Sequence, residues 1–451
     1  MPGQFEIAVI GGGVVGLAIL RRFAMAGLNC VLLERGPDIL SGASKANSAL
    51  LHAGFDAAPG SLELACMQAG YAEYLAIRDR LNLPLVKSSG LVVAWNDDEV
   101  AKLDGIVTKA HANGVTDVRR ISNNDVRTAE PHLSSLAHDA VRVPGEHIID
   151  PWSAPLAYAH QALAHGATIL RNAEVTAGSF ANGVWTLTGR AGDITARIVI
   201  NAAGNFGDLV EAIARPSPFR IMPRKGQFVV FDKQAAQLVN AIILPVPAER
   251  TKGVVLFRTA FGNLAIGPTA EDVDERDIAT GDTVTLERLK ARAIEMVPAL
   301  AGIGVNAIYA GLRPATEHKD YVIEALGPRN WITVGGIRST GLTSALGIAS
   351  HVAGLYTEHF GKLPDKPEPI WTPVPNLAED RHRPYQDGGE IVCHCEWVTR
   401  GEIERALKGP LPAGDLDGLK RRTRAMMGRC QGFNCSAQVA AIFREKSHGA
   451  A

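Results

Sequence analysis

The chain has 451 residues, enough for two or three domains with ordinary apolar cores. Hydrophobic residues make up 46% and charged residues 21%, and 46 Lys and Arg against 47 Asp and Glu leave a net charge of −1. That balance excludes a strongly basic nucleic-acid binder and a polybasic membrane-surface protein, and six cysteines are too few for a disulfide scaffold.

Residues 5–10 read as a buried strand, Val14 to Met25 as a helix and Asn29 to Leu33 as a second strand. Between the first two lies Gly11-Gly12-Gly13-Val14-Val15-Gly16, a GxGxxG loop through Gly11, Gly13 and Gly16. Such a loop gives a tight turn, a backbone open to a pyrophosphate and a helix N-terminus whose N–H groups and dipole attract phosphate. Glu34 ends the second strand, where an acid accepts hydrogen bonds from a ribose diol and disfavours a 2′-phosphate. A bare Gly-rich turn explains the loop alone; the flanking strands and Glu34 favour a dinucleotide. The apolar run from Ile7 to Leu20 is too short and Gly-rich to span a bilayer. A cytoplasmic protein with no direct membrane span is expected, with membrane association through a partner subunit left open.

Further helices are expected at 61–80, 153–165 and 285–298, and short strands at 90–95, 184–189, 196–201, 227–232, 253–258 and 264–267. This mixture predicts an α/β fold: a Rossmann-like dinucleotide domain on a parallel sheet, interleaved with a more antiparallel α+β second domain. The expected division is 1–360, with the nucleotide domain at about 1–85, 145–215 and 310–360 and the second domain at about 86–144 and 216–309. Prolines 364, 367, 369, 373, 375 and 384 mark a linker over 361–389. A small helical module follows at 390–445.

Three features favour FAD over NAD. The glycine loop starts close to residue 1, Arg35 follows the acid, and Gly335-Gly336-Ile337-Arg338-Ser339-Thr340-Gly341-Leu342-Thr343 precedes an apolar helix. That helix N-terminus suits the pyrimidine end of an isoalloxazine, where negative charge develops on reduction. Asn201-Ala202-Ala203-Gly204 reads either as a small-residue turn at the nucleotide or as a plain strand end. The stretch Ser44 to Asp56, continuing through Pro59-Gly60-Ser61-Leu62, together with Gly311-Leu312-Arg313-Pro314 and Gly341-Leu342-Thr343-Ser344, resembles the D-amino-acid-oxidase-type FAD superfamily. Within it the likeness is to the glycerol-3-phosphate dehydrogenase and L-2-hydroxyglutarate dehydrogenase branch, over roughly residues 5–360. The resemblance implies FAD contacts at Gly11, Gly13, Val15, Gly16, Glu34, Arg35, Ser44, Asn47, Ser48, Leu51, Val175, Ala203, Gly204, Gly341, Leu342 and Thr343.

It also implies oxidation of a small anionic 2-hydroxy compound by hydride transfer to flavin N5. His52 is then the expected base for the hydroxyl proton, since a histidine titrates near neutrality; its alternative is a packing role in the flavin loop. Arg313 matches the arginine that grips the anion, a task suited to a guanidinium fork; a surface arginine at a turn is the alternative. Arg338 departs from the branch's pattern and is a candidate second substrate contact. Lys225, in Arg224-Lys225-Gly226-Gln227, either faces the pocket or is a solvated charge.

The tail carries Cys393-His394-Cys395 and Cys430-Gln431-Gly432-Phe433-Asn434-Cys435, both pairs expected in turns. Four thiolates from two loops suit a [2Fe–2S] cluster or zinc, and Cys-x-Cys is unusual for zinc. Lys420 to Cys435 resembles the bacterioferritin-associated-ferredoxin-like (BFD-like) [2Fe–2S] domain, so Cys393, Cys395, Cys430 and Cys435 are the expected ligands. Reduced flavin holds two electrons and such a cluster takes one, so a redox partner subunit or a quinone-linked acceptor is expected. The first expected substrate is glycerol 3-phosphate, and three alternatives remain: an L-2-hydroxyglutarate or other 2-hydroxy acid dehydrogenase, a subunit that oxidises amines or opines, or one that transfers electrons without catalysis.

Overall fold

The computed structural model describes residues 4–247, 253–364, 368–379 and 389–448. Pro367, Pro384 and much of the expected linker lie outside the described residues. One eight-stranded sheet carries the nucleotide domain. Its central strand Phe5–Ile10 runs parallel to Cys30–Leu33 on one side and Gly192–Asn201 on the other. Thr168–Leu170 extends one edge in parallel, and Trp331–Gly335 pairs in parallel with Gly192–Asn201. The central strands are buried along nearly their whole length because helices cover the sheet. Helix Val14–Met25 packs on Ser153–Ala164 and on Gly341–Phe360, which also packs on Leu62–Leu81.

The sheet is mixed rather than purely parallel. Val175–Ala181, Val184–Gly189 and Gly192–Asn201 form an antiparallel meander, and Val322–Leu326 returns antiparallel to Trp331–Gly335. The first hairpin turns on Asn182-Gly183, with φ of 52° and 77°, the pair a two-residue hairpin turn favours. That turn joins neighbouring strands without a crossover helix.

The second sheet has nine strands, antiparallel except where Ile242–Pro245 runs parallel to Gly90–Val93. Arg224–Phe231 is a central strand, paired with Leu264–Gly267 and, along its whole length, with Val305–Arg313. A third sheet of Leu50–Leu51, His147–Ile149 and Leu85–Lys87 links the two large ones. Among the described residues no helix is long and apolar enough to cross a membrane.

The tail module has a two-stranded ribbon, Ile391–Cys393 with Val398–Thr399, and helices Arg400–Ala406, Leu416–Thr423 and Ser436–His448. Cys393 therefore closes a strand rather than sitting in a turn; Val392 and Val398 bury in the module's core with Ile403, Leu419 and Val439 and pull it into the ribbon. Thr399 caps its helix in a reciprocal box with Glu402.

Candidate active site and cysteine centre

A cavity of about 460 Å³ opens at the C-terminal ends of the central parallel strands. A Cβ on Gly11, whose φ is +113°, would lie 2.4 Å from the Ala202 carbonyl oxygen, and one on Gly16 would lie 1.9 Å from the Gly11 carbonyl oxygen. The loop thus packs backbone on backbone, and only glycine fits. Gly13, the N-cap, offers no side chain to the helix it opens, and Ser44 Oγ accepts the Val14 N–H at 3.0 Å. Glu34 is fixed by the Gly12 and Gly36 N–H groups, both at 2.7 Å. Burial pushes its carboxyl upward, against those two hydrogen bonds. The buried Asn205, also in the wall, has an amide oxygen without a partner among the described residues. The glycine cradle, the acid at the strand end and this orphaned acceptor fit a dinucleotide. Replacing Gly16 with alanine is expected to give colourless protein, checked by the flavin absorbance of the purified chain.

Gly11, Gly13, Val15, Glu34, Arg35, Ser44, Asn47, Ser48, Val175, Ala203, Gly204, Gly341 and Leu342 all line this cavity, as do Arg313 and Arg338. Gly16, Leu51, Thr343, His52 and Lys225 stand outside its wall. Gly16 supports the loop from behind. Thr343 accepts the His52 backbone N–H at 3.0 Å and donates to the Leu50 carbonyl at 3.3 Å, tying the His52 segment to the helix turn whose Gly341 and Leu342 form the wall. Lys225 pairs with Glu271 at 3.1 Å instead of facing the cavity; strand alternation sends it opposite to Gly226, which lines the wall.

Four arginines reach the cavity, and their partners separate them. Arg35 pairs with Asp277 and lies 3.9 Å over the Phe206 ring. Arg276, missed in the sequence, is neutralised by Asp208 at 2.6 Å. Arg338 bonds the Lys319 carbonyl and stands 3.6 Å from Glu63. Arg313 bonds only carbonyls, those of Arg224, Lys225 and Thr269, and makes no ion pair among the described residues. Burial pushes it down to about 10, so it still holds its proton at neutral pH.

His52 Nδ1 lies 2.8 Å from Glu146 Oε2, and Glu146 Oε1 accepts the Ala53 N–H at 2.7 Å. Glu146 is fully buried. No motif marked it: it is one acid in a Pro-Gly-Glu-His turn, far in sequence from His52.

In the module the thiols meet as two pairs, Cys395 with Cys430 and Cys393 with Cys435. Among the described residues no three His, Cys, Asp or Glu side chains gather around a single-ion position. Two thiol pairs from two loops suit a two-iron cluster with two ligands per iron. Backbone N–H groups led by that of Asn434 pull the Cys430 thiol down, favouring the thiolate a metal needs. Burial, then Cys393, pushes Cys435 up to about 11.

Comparison with known proteins agrees with both sites. The FAD dependent oxidoreductase family matches residues 6–355, and the BFD-like [2Fe-2S] binding domain family matches residues 391–445. A glycerol 3-phosphate dehydrogenase of Caloramator mitchellensis is 32% identical over 97% of this chain and 94% of its own length. A chain of the anaerobic glycerol-3-phosphate dehydrogenase of Escherichia coli is 27% identical over 97% of this chain and 88% of its own. The solved structure of dithionite-reduced L-alpha-glycerophosphate oxidase from Mycoplasma pneumoniae, with FAD bound, superposes with a TM-score of 0.76 at 26% identity, covering 83% of this chain and 99% of that one.

Proposed function

Because the chain belongs to the FAD-dependent oxidoreductase family and ends in a BFD-like [2Fe–2S] domain, we propose that it is a dehydrogenase of glycerol 3-phosphate that passes electrons onward through the cluster. The partner proposed is a redox subunit or a quinone-linked acceptor. The observation that carries the substrate is Arg313, the cavity arginine without an acid partner among the described residues. A phosphate dianion supplies the missing countercharge, and a guanidinium fork matches its oxygens. The two similar glycerol 3-phosphate dehydrogenases support the same reading.

Bound FAD would supply the hydride acceptor and the cluster a one-electron carrier. The chain's own residues do the rest. Glu34 and the Gly11–Gly16 loop hold the dinucleotide, Arg313 anchors the anionic end of the substrate, and His52 takes the hydroxyl proton.

Anaerobic mixing with glycerol 3-phosphate, L-2-hydroxyglutarate and opines, followed at the flavin band, tests the reading. Glycerol 3-phosphate is expected to bleach it fastest. Bleaching by another member of the panel alone overturns the substrate, and no bleaching by any, with dithionite still effective, favours the non-catalytic electron-transfer role. Arg313→Gln is expected to raise KM for glycerol 3-phosphate by about 10- to 100-fold, the worth of a charged hydrogen bond, with kcat changed less. Steady-state dye reduction measures both.

A further inference from the structure

We propose that Glu146 is a positioning residue that fixes the tautomer and aim of His52 and stabilises its protonated form during substrate oxidation. The proposal rests on the reading of His52 as the base. A histidine that accepts a proton must present a bare nitrogen lone pair, and a neutral imidazole has only one. The hydrogen bond made by the other nitrogen decides which one it is. Here Nδ1 faces a carboxylate oxygen at 2.8 Å. An ionised carboxylate only accepts, so Nδ1 carries the hydrogen and Nε2 holds the lone pair.

The carboxylate is itself held. Its second oxygen takes the Ala53 N–H at 2.7 Å, so one acid pins both the ring and the backbone beside it. Behind it, a Cβ on Gly90 would lie 3.1 Å from Glu146 Cγ, so strand Gly90–Val93 backs the side chain closely. From the front, the Tyr71 hydroxyl donates to the Gly145 carbonyl at 2.9 Å and holds the turn that carries Glu146. Thr343 fixes the opposite end of the segment through the His52 N–H. Ring, acid and backbone are therefore tied from three elements, which holds the imidazole in one orientation.

In the step, the substrate O–H bond breaks and its proton goes to His52 Nε2. The adjacent C–H bond breaks with its electron pair, and the hydride is accepted by FAD as the carbonyl forms. Substrate is oxidised, flavin is reduced, and His52 becomes an imidazolium facing Glu146. Among the described residues the nearby charged and titratable groups include Tyr71, whose hydroxyl is pushed up by burial and then by Glu146, and His147, pushed down by burial. Lys87 pairs with His147 across the small sheet, and Asp117 acts on Tyr71. Among the described residues Glu146 is the carboxylate in contact with the His52 ring.

The test compares Glu146→Gln and Glu146→Asp with the wild-type holoenzyme. Glutamine keeps the shape and can accept from Nδ1, but it removes the charge that favours the imidazolium. Flavin reduction by glycerol 3-phosphate is expected to slow about 10- to 100-fold in E146Q, with KM nearly unchanged and the acidic limb of activity displaced to lower pH. The apparent pKa of the base falls in E146Q, so the variant works at lower pH than wild type, and E146D recovers part of both effects. Histidine-selective nitrogen NMR of the resting protein supplies a reading independent of turnover: Nδ1 protonated in wild type, mixed tautomers in E146Q. A pH profile and tautomer unchanged in E146Q, or a loss confined to KM, overturns the proposal. If E146Q does not fold, E146D carries the same two readouts. If wild type itself is not bleached by glycerol 3-phosphate, the substrate reading fails first, and the NMR arm still decides whether Glu146 sets the tautomer.

Discussion

His52→Asn is expected to slow flavin reduction by glycerol 3-phosphate by about 10²- to 10⁴-fold, the usual worth of a positioned general base. Asparagine is chosen for its geometry. Its amide nitrogen falls close to the position of Nδ1 and can keep a hydrogen bond to Glu146 Oε2, so the buried acid is not abandoned. It has nothing at the position of Nε2, so proton transfer alone is removed. The backbone N–H of residue 52 still reaches Thr343, and the segment keeps its path beside the helix turn. FAD content and thermal stability should stay near wild type, because an orphaned buried carboxylate, a change that costs about 3–5 kcal/mol, is avoided. Stopped-flow absorbance with glycerol 3-phosphate and then with dithionite separates the cases. A variant slow with substrate but normal with dithionite has lost its base; one slow with both has lost its flavin environment. Wild-type rates in H52N would remove His52 from the chemistry.

What the sequence made legible is what local spacing controls. The glycine loop, the helix beginning at Val14 and the acid at Glu34 fall within one strand–turn–helix–strand unit, so their order in the chain is their order in space. The two cysteine motifs, Cys393/Cys395 and Cys430/Cys435, are legible because each is local, whereas the thiol pairing across them, Cys395 with Cys430 and Cys393 with Cys435, is set by the fold. The hidden part depends on contacts between distant segments. Glu146 reaches His52 only because the strand His147–Ile149 pairs with Leu50–Leu51. Lys225 looks like a pocket cation in its motif, yet strand alternation and Glu271 turn it aside. Arg313 differs from Arg35 and Arg276 only in lacking an acid among its described neighbours, which no local motif encodes. The mixed character of the first sheet turns instead on a local signal, the Asn182-Gly183 hairpin between Val175–Ala181 and Val184–Gly189, which the reading of a parallel sheet left out.

Breaking the socket that seats the cysteine module is expected to have the largest effect on stability. Asp38, fully buried, follows Glu34 by one short turn and is gripped by Arg422 at 2.5 and 2.9 Å and by the Gly414 N–H at 3.2 Å. Arg421 adds a hydrogen bond to the Ile39 carbonyl at 3.1 Å, and Arg171 joins the two sides through the Pro412 carbonyl at 2.6 Å. A Cβ on Gly418 would lie 1.7 Å from Asp38 Oδ2, so the helix Leu416–Thr423 sits directly on the acid. The same loop continues through Gly42, Ala43 and Ser44, which line the cavity, so one short segment forms both the wall of the nucleotide site and the seat of the cluster domain. Asp38→Ala leaves the Arg422 charge buried without its partner, a change that costs about 3–5 kcal/mol. The loss falls on docking first. Amide hydrogen exchange over 414–424 should rise sharply in D38A while exchange in the central strands and FAD content change little. Replacing both partners, Asp38→Leu with Arg422→Met, separates charge from packing: an apolar pair of similar volume in place of a buried ion pair is often close to neutral. Slow exchange over 414–424 should return in D38L/R422M. Protection that stays wild-type in D38A would show that the module is seated by its other contacts, such as Arg424, whose guanidinium lies 3.7 Å over the Phe261 ring, and Lys233, 3.1 Å from Glu396.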